Sequence, residues 1–289
     1  MSKTIRIAVI SDQHIDREAE PSSWKLAKKV YRAASELDVD HVVLAGDTFD
    51  CATAMQNDSG AVRKYLKRLG LWTSDRLSIV MGNHDIFHTP HHRRGAALVR
   101  EVANQALPGV VKDNVESFVD WAGELVEGDE WASKKLWAPY SKQVGHVRLL
   151  CASTVANDVR WSGNGHWWPA VDEALRDVLV GADERCVLAI HQAPIKDDWQ
   201  TITNLAKGEF AYGFAKSEFK SLRNFVRDRG VEAILCGHLH WKSGAKAQWD
   251  FGAARVFLQG RSGGMATDPS LGVLTVPLRG APTWADVDL

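Results

Sequence analysis

Five short stretches place chemically capable side chains directly after apolar runs. They are Ser11-Asp12-Gln13-His14, Gly46-Asp47-Thr48-Phe49-Asp50, Gly82-Asn83-His84-Asp85, the single His191, and Gly237-His238-Leu239-His240. Together they offer carboxylates, imidazoles and the amide oxygen of Asn83, and no thiolate. That donor set suits borderline to hard divalent ions such as Mn, Fe or Zn. It holds enough ligands for two ions. Two ions about 3.5–4 Å apart that share a carboxylate form a clamp for in-line attack on phosphorus. Each stretch alone is weak, because a Gly-Asp at a strand end is usually a turn and an HxH is often two histidines on one side of a strand. The joint occurrence of all five, in this order, is what points to a site.

The elements that position these residues follow from periodicity. "TIRIAVISD", "HVVLAGD" and "RLSIVMGN" read as buried strands. Between them, "SSWKLAKKVYRAASEL" reads as an amphipathic helix with Trp24, Leu26, Val30 and Ala34 toward a sheet. "SGAVRKYLKRLG" reads as a helix opened by Ser59 and closed by Gly70. Continuous apolar strands alternating with helices imply a parallel sheet covered on both faces. Farther on come a helix at "AALVREVANQAL", the strand "VRLLCAST", the helix "PAVDEALRDVLV", the strand "RCVLAIH", the helix "KSEFKSLRNFVRDRG" and the strand "VEAILCGH". The closing runs "AKAQWDF", "ARVFLQG" and "LGVLTVPL" are spaced as antiparallel neighbours. Residues 113 to 145 mix Trp, Gly and charge and show no clear period. The expectation is one α/β domain over residues 1–289, with two packed mixed sheets flanked by helices and less regular insertions near 86–145. All the candidate residues then fall at carboxyl ends of strands, where open α/β sheets present their sites.

DxH, GDxxD, GNHD, a lone His and GHxH in that order resemble the calcineurin-like metallophosphoesterase superfamily, over most of the chain from Asp12 to His240. "GHWWPAVDEAL" before "LAIHQAP" is similar, much less specifically, to the bacterial cyclic-nucleotide phosphodiesterase-like branch. The resemblance implies that Asp12, His14 and His240 hold one metal, that Asn83, His191 and His238 hold the other, and that Asp47 bridges them. It implies two divalent ions, with manganese expected and iron or zinc as alternatives. His84 would sit over the scissile phosphate as general acid, polarised by Asp50, while Asp85 supports the loop. A water shared by two cations loses its proton near neutral pH, at a pKa of about 7 in zinc sites. The resulting hydroxide would attack phosphorus, and imidazole is suited to protonating the leaving group.

Other residues weigh less. His88, four residues past His84, is a candidate substrate contact. His91, His92, Arg93 and Arg94 read as a solvated loop and exposed helix face. His41, His146 and His166 read as structural, and Asp16, Arg17 and the glycine-rich "QGRSGG" (Gln259 to Gly264) are weaker substrate candidates. Most of the 12 Trp residues read as core. Four scattered cysteines, a first apolar run too short for a signal-peptide core, and the lack of a spanning stretch point to a reduced, cytoplasmic setting without membrane contact.

The leading function is hydrolysis of small phosphate esters, possible nucleotides among them, with phosphodiesters favoured over monoesters. The alternatives are a phosphomonoesterase, a small nuclease and a non-catalytic scaffold. A net charge of -1 and an end about fifty residues after GHxH argue against nucleic acid as partner. The intact ligand set argues against a scaffold.

Overall fold

The computed structural model describes residues 4–86, 108–126, 130–131, 139–155, 165–178, 181, 183–195, 213–240, 248–260, 262 and 269–289. The alternation of side chains across strands decides the architecture. In β6 (Val147–Cys151), β7 (Arg185–Ala189) and β8 (Val231–Cys236), Leu149, Val187, Ala189, Ala233 and Leu235 join one core, whereas Leu150, Leu188, Ile234 and Cys236 join another. A sheet buried on both faces must be covered twice. One cover is a second sheet and the other is a pair of helices, α4 (Pro169–Asp177) and α5 (Lys216–Asp228), which send Val171, Leu175, Leu222, Phe225 and Val226 into the outer core.

The second sheet contains β1 (Thr4–Ile10), β2 (His41–Ala45) and β3 (Leu77–Val80), parallel to one another. It is extended antiparallel from β1 by β11 (Ser270–Pro277) and β12 (Thr283–Asp288). Its order is β12-β11-β1-β2-β3. The other sheet runs β4-β5-β6-β7-β8-β10-β9, where β4 is Glu130–Trp131, β5 Tyr140–Val144, β9 Gln248–Phe251 and β10 Ala254–Leu258. The crossover helices α1 (Pro21–Glu36) and α2 (Ala52–Arg68) complete the α/β layering. Polar cross-links tie the sheets together: the Tyr140 hydroxyl both donates to the Ile79 carbonyl and accepts from its amide, at 2.9 Å. The buried Lys142 ammonium donates to the carbonyls of Ser74, Leu77 and Leu125.

Three expectations change. The buried face of α1 is Ser23, Ala27, Val30, Tyr31 and Ala34, a rotation from the stripe expected through Trp24 and Leu26. Small residues let the helix approach the sheet, while the Trp24 indole occupies the α1–α2 seam, edge-on to Tyr65 at 5.6 Å. Helix α2 begins seven residues before Ser59, where Cys51 Sγ accepts from the Ala54 amide, because Ala52, Ala54, Met55 and Asp58 have a buried face to fill. Gly70 does end it, at φ +70°. Of the closing runs only β9 and β10 pair antiparallel. β10 lies parallel to β8, and β11 crosses to the other sheet, where β12 covers it.

The unassigned middle yields α3 (Pro108–Ala122), whose Phe118 and Trp121 build an aromatic cluster with Trp72 and with Phe49 of the GDTFD stretch. The helix expected at 96–107 lies outside the described residues.

His41, at the start of β2, is fully buried. Its Nδ1 donates to the Asp75 carbonyl at 3.0 Å, so its Nε2 accepts from the Ser78 hydroxyl at 2.9 Å. Burial pushes its pKa down to about 3. The unfolded chain therefore takes up this proton first as the pH falls. Stability from the neutral imidazole is complete above pH 6.5 and is lost progressively toward pH 3, at about 1.4 kcal/mol per unit. Urea titrations of metal-free protein are expected to show about 2 kcal/mol more loss between pH 6.5 and pH 5 in the wild type than in His41→Gln. Equal losses would remove His41 as the cause.

Candidate metal centre

The turns after β1, β2, β3, β7 and β8 meet at one end of the two sheets. Among the described residues the non-glycine positions with positive φ are Asp12, His14, Asp47, His238 and His240, at 45° to 76°. Side chains other than Gly, Asn or Asp rarely accept this region, and such strain gathers at functional sites. The left-handed turns redirect carboxylates and imidazoles from the strand axes toward one another. Three groups result, each with donor atoms within 4.8 Å of one another: Asp12, His14, Asp47 and His240; Asp47, His191 and His238; and, beside the first, His14, Asp50 and His84. Asp47 belongs to the first two.

The contacts within the clusters are those of donors aimed at a common point. His240 Nε2 lies 3.1 Å from Asp12 Oδ1, His14 Nε2 lies 3.1 Å from His240 Nε2, and His191 Nε2 lies 3.1 Å from Asp47 Oδ2. Two donors held about 2.1 Å from one ion at right angles would be about 3.0 Å apart. Asn83 Oδ1 is buried with no hydrogen-bond partner among the described residues, and His191 Nε2 and Asp47 Oδ2 are buried against each other without the geometry of a hydrogen bond. Buried polar atoms left in this way are costly unless something binds them. Divalent ions fit this donor set. Their closest neighbours in the chain are also fixed: His191 Nδ1 donates to the Ala45 carbonyl at 2.8 Å, which directs Nε2 inward, and the His238 amide donates to both oxygens of Asp12 at 3.0 Å.

Charge follows geometry. Burial alone would raise both carboxyls, but the imidazole charge of His240 holds Asp12 below its ordinary value, and His191 holds Asp47 well below. Burial would lower His191, yet the carboxylates of Asp47 and Asp12 push it up to about 9. Burial, aided by the charge of His191, takes His238 down to about 3. The anions are thus compensated by protons that a cation would displace.

His84 stands at the edge, half-buried. Its amide donates to Asp47 Oδ1 at 2.7 Å, and its ring sits edge-on to His14 with centroids 4.7 Å apart. Its Nδ1 donates to the Asp50 backbone carbonyl at 2.9 Å. The Asp50 carboxylate lies 3.5 Å from His14 Nδ1. His84 thus bonds the Asp50 backbone carbonyl, and the Asp50 carboxylate stands with the rings of His14 and His84 in one group whose donor atoms lie within 4.8 Å. Asp85 supports the loop: Oδ1 accepts from the Phe49 amide at 2.9 Å and Oδ2 from the Gly82 amide at 2.8 Å, and burial followed by the nearby charge of Asp47 raises its pKa to about 7.

His88, His91, His92, Arg93 and Arg94 lie outside the described residues. His166 turns to the outer layer, 3.1 Å from Glu218 and stacked on Trp168. Asp16 accepts from the amides of Glu18 and Ala19, and Arg17 pairs with Asp58. Sequence reasoning missed the contact between Ser11 and Ser262. Ser11 N donates to Ser262 Oγ at 3.1 Å and Ser262 N to the Ser11 carbonyl at 3.2 Å, which fastens the residue before Asp12 to the loop after β10. No local signal marks Ser262 apart from the glycines around it.

A family model described as calcineurin-like phosphoesterase matches residues 5–242. No curated relative matches the sequence. Among solved structures, a purple acid phosphatase from yellow lupin (Lupinus luteus) superposes with TM-score 0.54 at 12% identity, over 96% of this chain and 50% of that one. The chain thus spans half the length of the lupin protein. A dimetal phosphatase from Danio rerio gives 0.52 at 12% identity, over 97% and 98% of the two chains. The protein TT1561 of Thermus thermophilus gives 0.52 at 11%, over 96% and 100%. At these identities the likeness is one of fold.

The packing of the turns yields a test. A Cβ on Gly82 would stand 2.1 Å from the Asp47 amide nitrogen and 2.2 Å from Asp47 Oδ1. Gly82→Ala is expected to cost about 3 kcal/mol by overpacking and to lower the metal content of protein reconstituted with Mn²⁺. A variant with full metal content by elemental analysis and an unshifted melting temperature would show that the Gly82–Asp47 contact is unimportant.

Proposed function

The chain belongs to the calcineurin-like phosphoesterase family, and from that premise we propose that it hydrolyses phosphodiesters with two divalent ions, manganese by preference. The observation that carries this reading is the pair of donor clusters that share Asp47 beside His84. In it Asp12, His14 and His240 would hold one ion, Asn83, His191 and His238 would hold the other, and Asp47 would serve both. Bound there, the ions supply Lewis acidity toward the phosphoryl oxygens and activate water.

The residues of the chain do the rest. The carboxylates and the inward-directed imidazoles fix the donors before any ligand arrives, so little reorganisation accompanies reaction. The Asp50 carbonyl accepts only, so His84 carries its proton on Nδ1 and Nε2 is the nitrogen that can act. When Nε2 is also protonated, His84 can hand that proton to the departing oxygen. Hydrogen bonding of its amide to Asp47 keeps this ring in register with the metal centre.

The preference for diesters is supported by the likeness of "GHWWPAVDEAL" to the cyclic-nucleotide phosphodiesterase-like branch. It is also supported by Arg17. This base, close in sequence to His14, is paired with Asp58 and sits over Trp24, and so is not directed at a monoester dianion. Phosphatases among the structures of like fold keep the monoester reading as the alternative. The four cysteines are free and buried, which suits the reducing cytoplasm. Among the described residues no helix is long and apolar enough to cross a membrane.

Metal-stripped enzyme reloaded with Mn²⁺ is expected to turn over bis(p-nitrophenyl) phosphate faster than p-nitrophenyl phosphate; the reverse order would make it a monoesterase. His84→Ala is expected to retain both ions and to lose about 10²–10⁴ in kcat on an ester with an alkyl leaving group, as is usual for loss of a general acid. The loss should be smaller on p-nitrophenyl esters, whose leaving group needs no proton. Equal losses on both would reject the acid role.

A further inference from the structure

A net charge of -1 conceals an uneven distribution. Helix α1 carries Lys25, Lys28, Lys29 and Arg32 against the single acid Glu36. Helix α2 carries Arg63, Lys64, Lys67 and Arg68 against the single acid Asp58, which is buried and paired with Arg17. The two helices lie side by side: Tyr65 packs on Trp24 and Tyr31, and its hydroxyl donates to the Lys28 carbonyl. Lys25, Lys29 and Arg32 are exposed on α1, as are Lys64, Lys67 and Arg68 on α2. Of these six, only Lys67 meets a carboxylate among the described residues, that of Glu124. The upper end of the patch adjoins the loop that follows the clustered Asp12 and His14, where Arg17 and Lys28 flank the Trp24 ring at 6.0 and 5.5 Å.

We propose that the outer face of α1 and α2 binds nucleic acid through its phosphate backbone. Like charges gathered on one face at this density repel one another and are stabilised by a polyanion. Lys25 to Arg32 spans about 10 Å along the helix, and the neighbouring helix adds a second row about 8–10 Å away. A duplex presents one phosphate per about 3.4 Å of each strand, so several phosphates fall within reach of the two rows. The face has no exposed large hydrophobic side chain for entering a lipid surface: among the described residues that side chain is Leu278, on neither helix, and the half-buried Trp24 ring is flanked by Arg17 and Lys28. Electrostatics without insertion fits a phosphate backbone better than a bilayer. The binding is independent of base identity, because long cationic side chains on a convex face meet phosphate oxygens and not base edges.

The inference rests on surface charge and not on the metal centre, so it stands or falls separately from the proposed hydrolysis. Fluorescence anisotropy with a fluorescein-labelled 20-nucleotide DNA, single-stranded and duplex, tests it on the full chain with EDTA present. Affinity in the micromolar range at 50 mM salt is expected, with log K falling against log salt at a slope of about -3 for the single strand. The quadruple variant Lys25→Glu/Lys29→Glu/Arg32→Glu/Lys64→Glu is expected to bind at least tenfold more weakly, with a shallower slope. The corresponding glutamine variant should lie between. The far-ultraviolet circular dichroism spectrum and melting temperature are the folding control and should be unchanged in both. Undiminished binding by the glutamate variant, binding only when Mn²⁺ is present, or binding to phosphatidylserine vesicles but not to the oligonucleotides would each overturn the proposal.

Discussion

Two carboxylates, Asp12 and Asp47, are buried at the meeting point of two sheets, and much of the molecule follows from keeping them ionised there. A buried anion is unfavourable unless positive charge lies against it. Here imidazoles supply that charge, and His191 is held protonated well above its ordinary range by the two carboxylates. His238 cannot take the same part, because burial and the charge of His191 keep it neutral. The cluster therefore has more negative and neutral donors than its protons satisfy. Asn83 Oδ1 remains without a hydrogen-bond partner among the described residues, and Asp47 Oδ2 faces only the His191 imidazole at 3.1 Å among the contacts described. Divalent ions would resolve that imbalance.

The backbone bears the cost of this arrangement. Five non-glycine residues in the left-handed region concentrate strain of order 1–3 kcal/mol each in three short turns. Such conformations persist only where the surroundings over-determine them. Gly46, Gly82 and Gly237 supply the space, since a Cβ at any of them would meet His191, Asp47 or Ser11 at under 2.4 Å. The reciprocal Ser11–Ser262 bonds hold the turn of Asp12 from a loop far away in sequence. Asp85, bonded to the Phe49 and Gly82 amides, holds the second turn against the third.

This division explains what could be read in the chain. Motif residues were legible because each sits directly after an apolar strand, and strand ends are set by local sequence. Their convergence follows from parallel pairing, which the alternation of strands and helices already implied. The rotation of α1 was not legible, since its face is chosen by how near small residues can bring it to the sheet. The start of α2 was missed because a cysteine caps it and polar residues precede its apolar stripe. The contact of Asp50 with His84 through a carbonyl depends on a turn conformation that residue type does not encode. The basic face on α1 and α2 was hidden by a balanced total, for acids elsewhere in the chain cancel it in the sum.

The clusters also bear on how the two sheets stay together. Asp12, His14, Asp47 and Asn83 come from the sheet of β1, β2 and β3, whereas His191, His238 and His240 come from the sheet of β7 and β8. Each of the two clusters that share Asp47 draws on both sheets. Along β3 the sheets are also joined by Tyr140 and Lys142, whose partners are backbone groups and need no metal ion. Ions in the proposed centre would thus close one end of a sandwich whose edge is closed by hydrogen bonds to the backbone. Binding energy there would be stability of the sheet–sheet contact as well as catalytic potential. The same donors would then set both the reactivity of the centre and the alignment of the layers that create it.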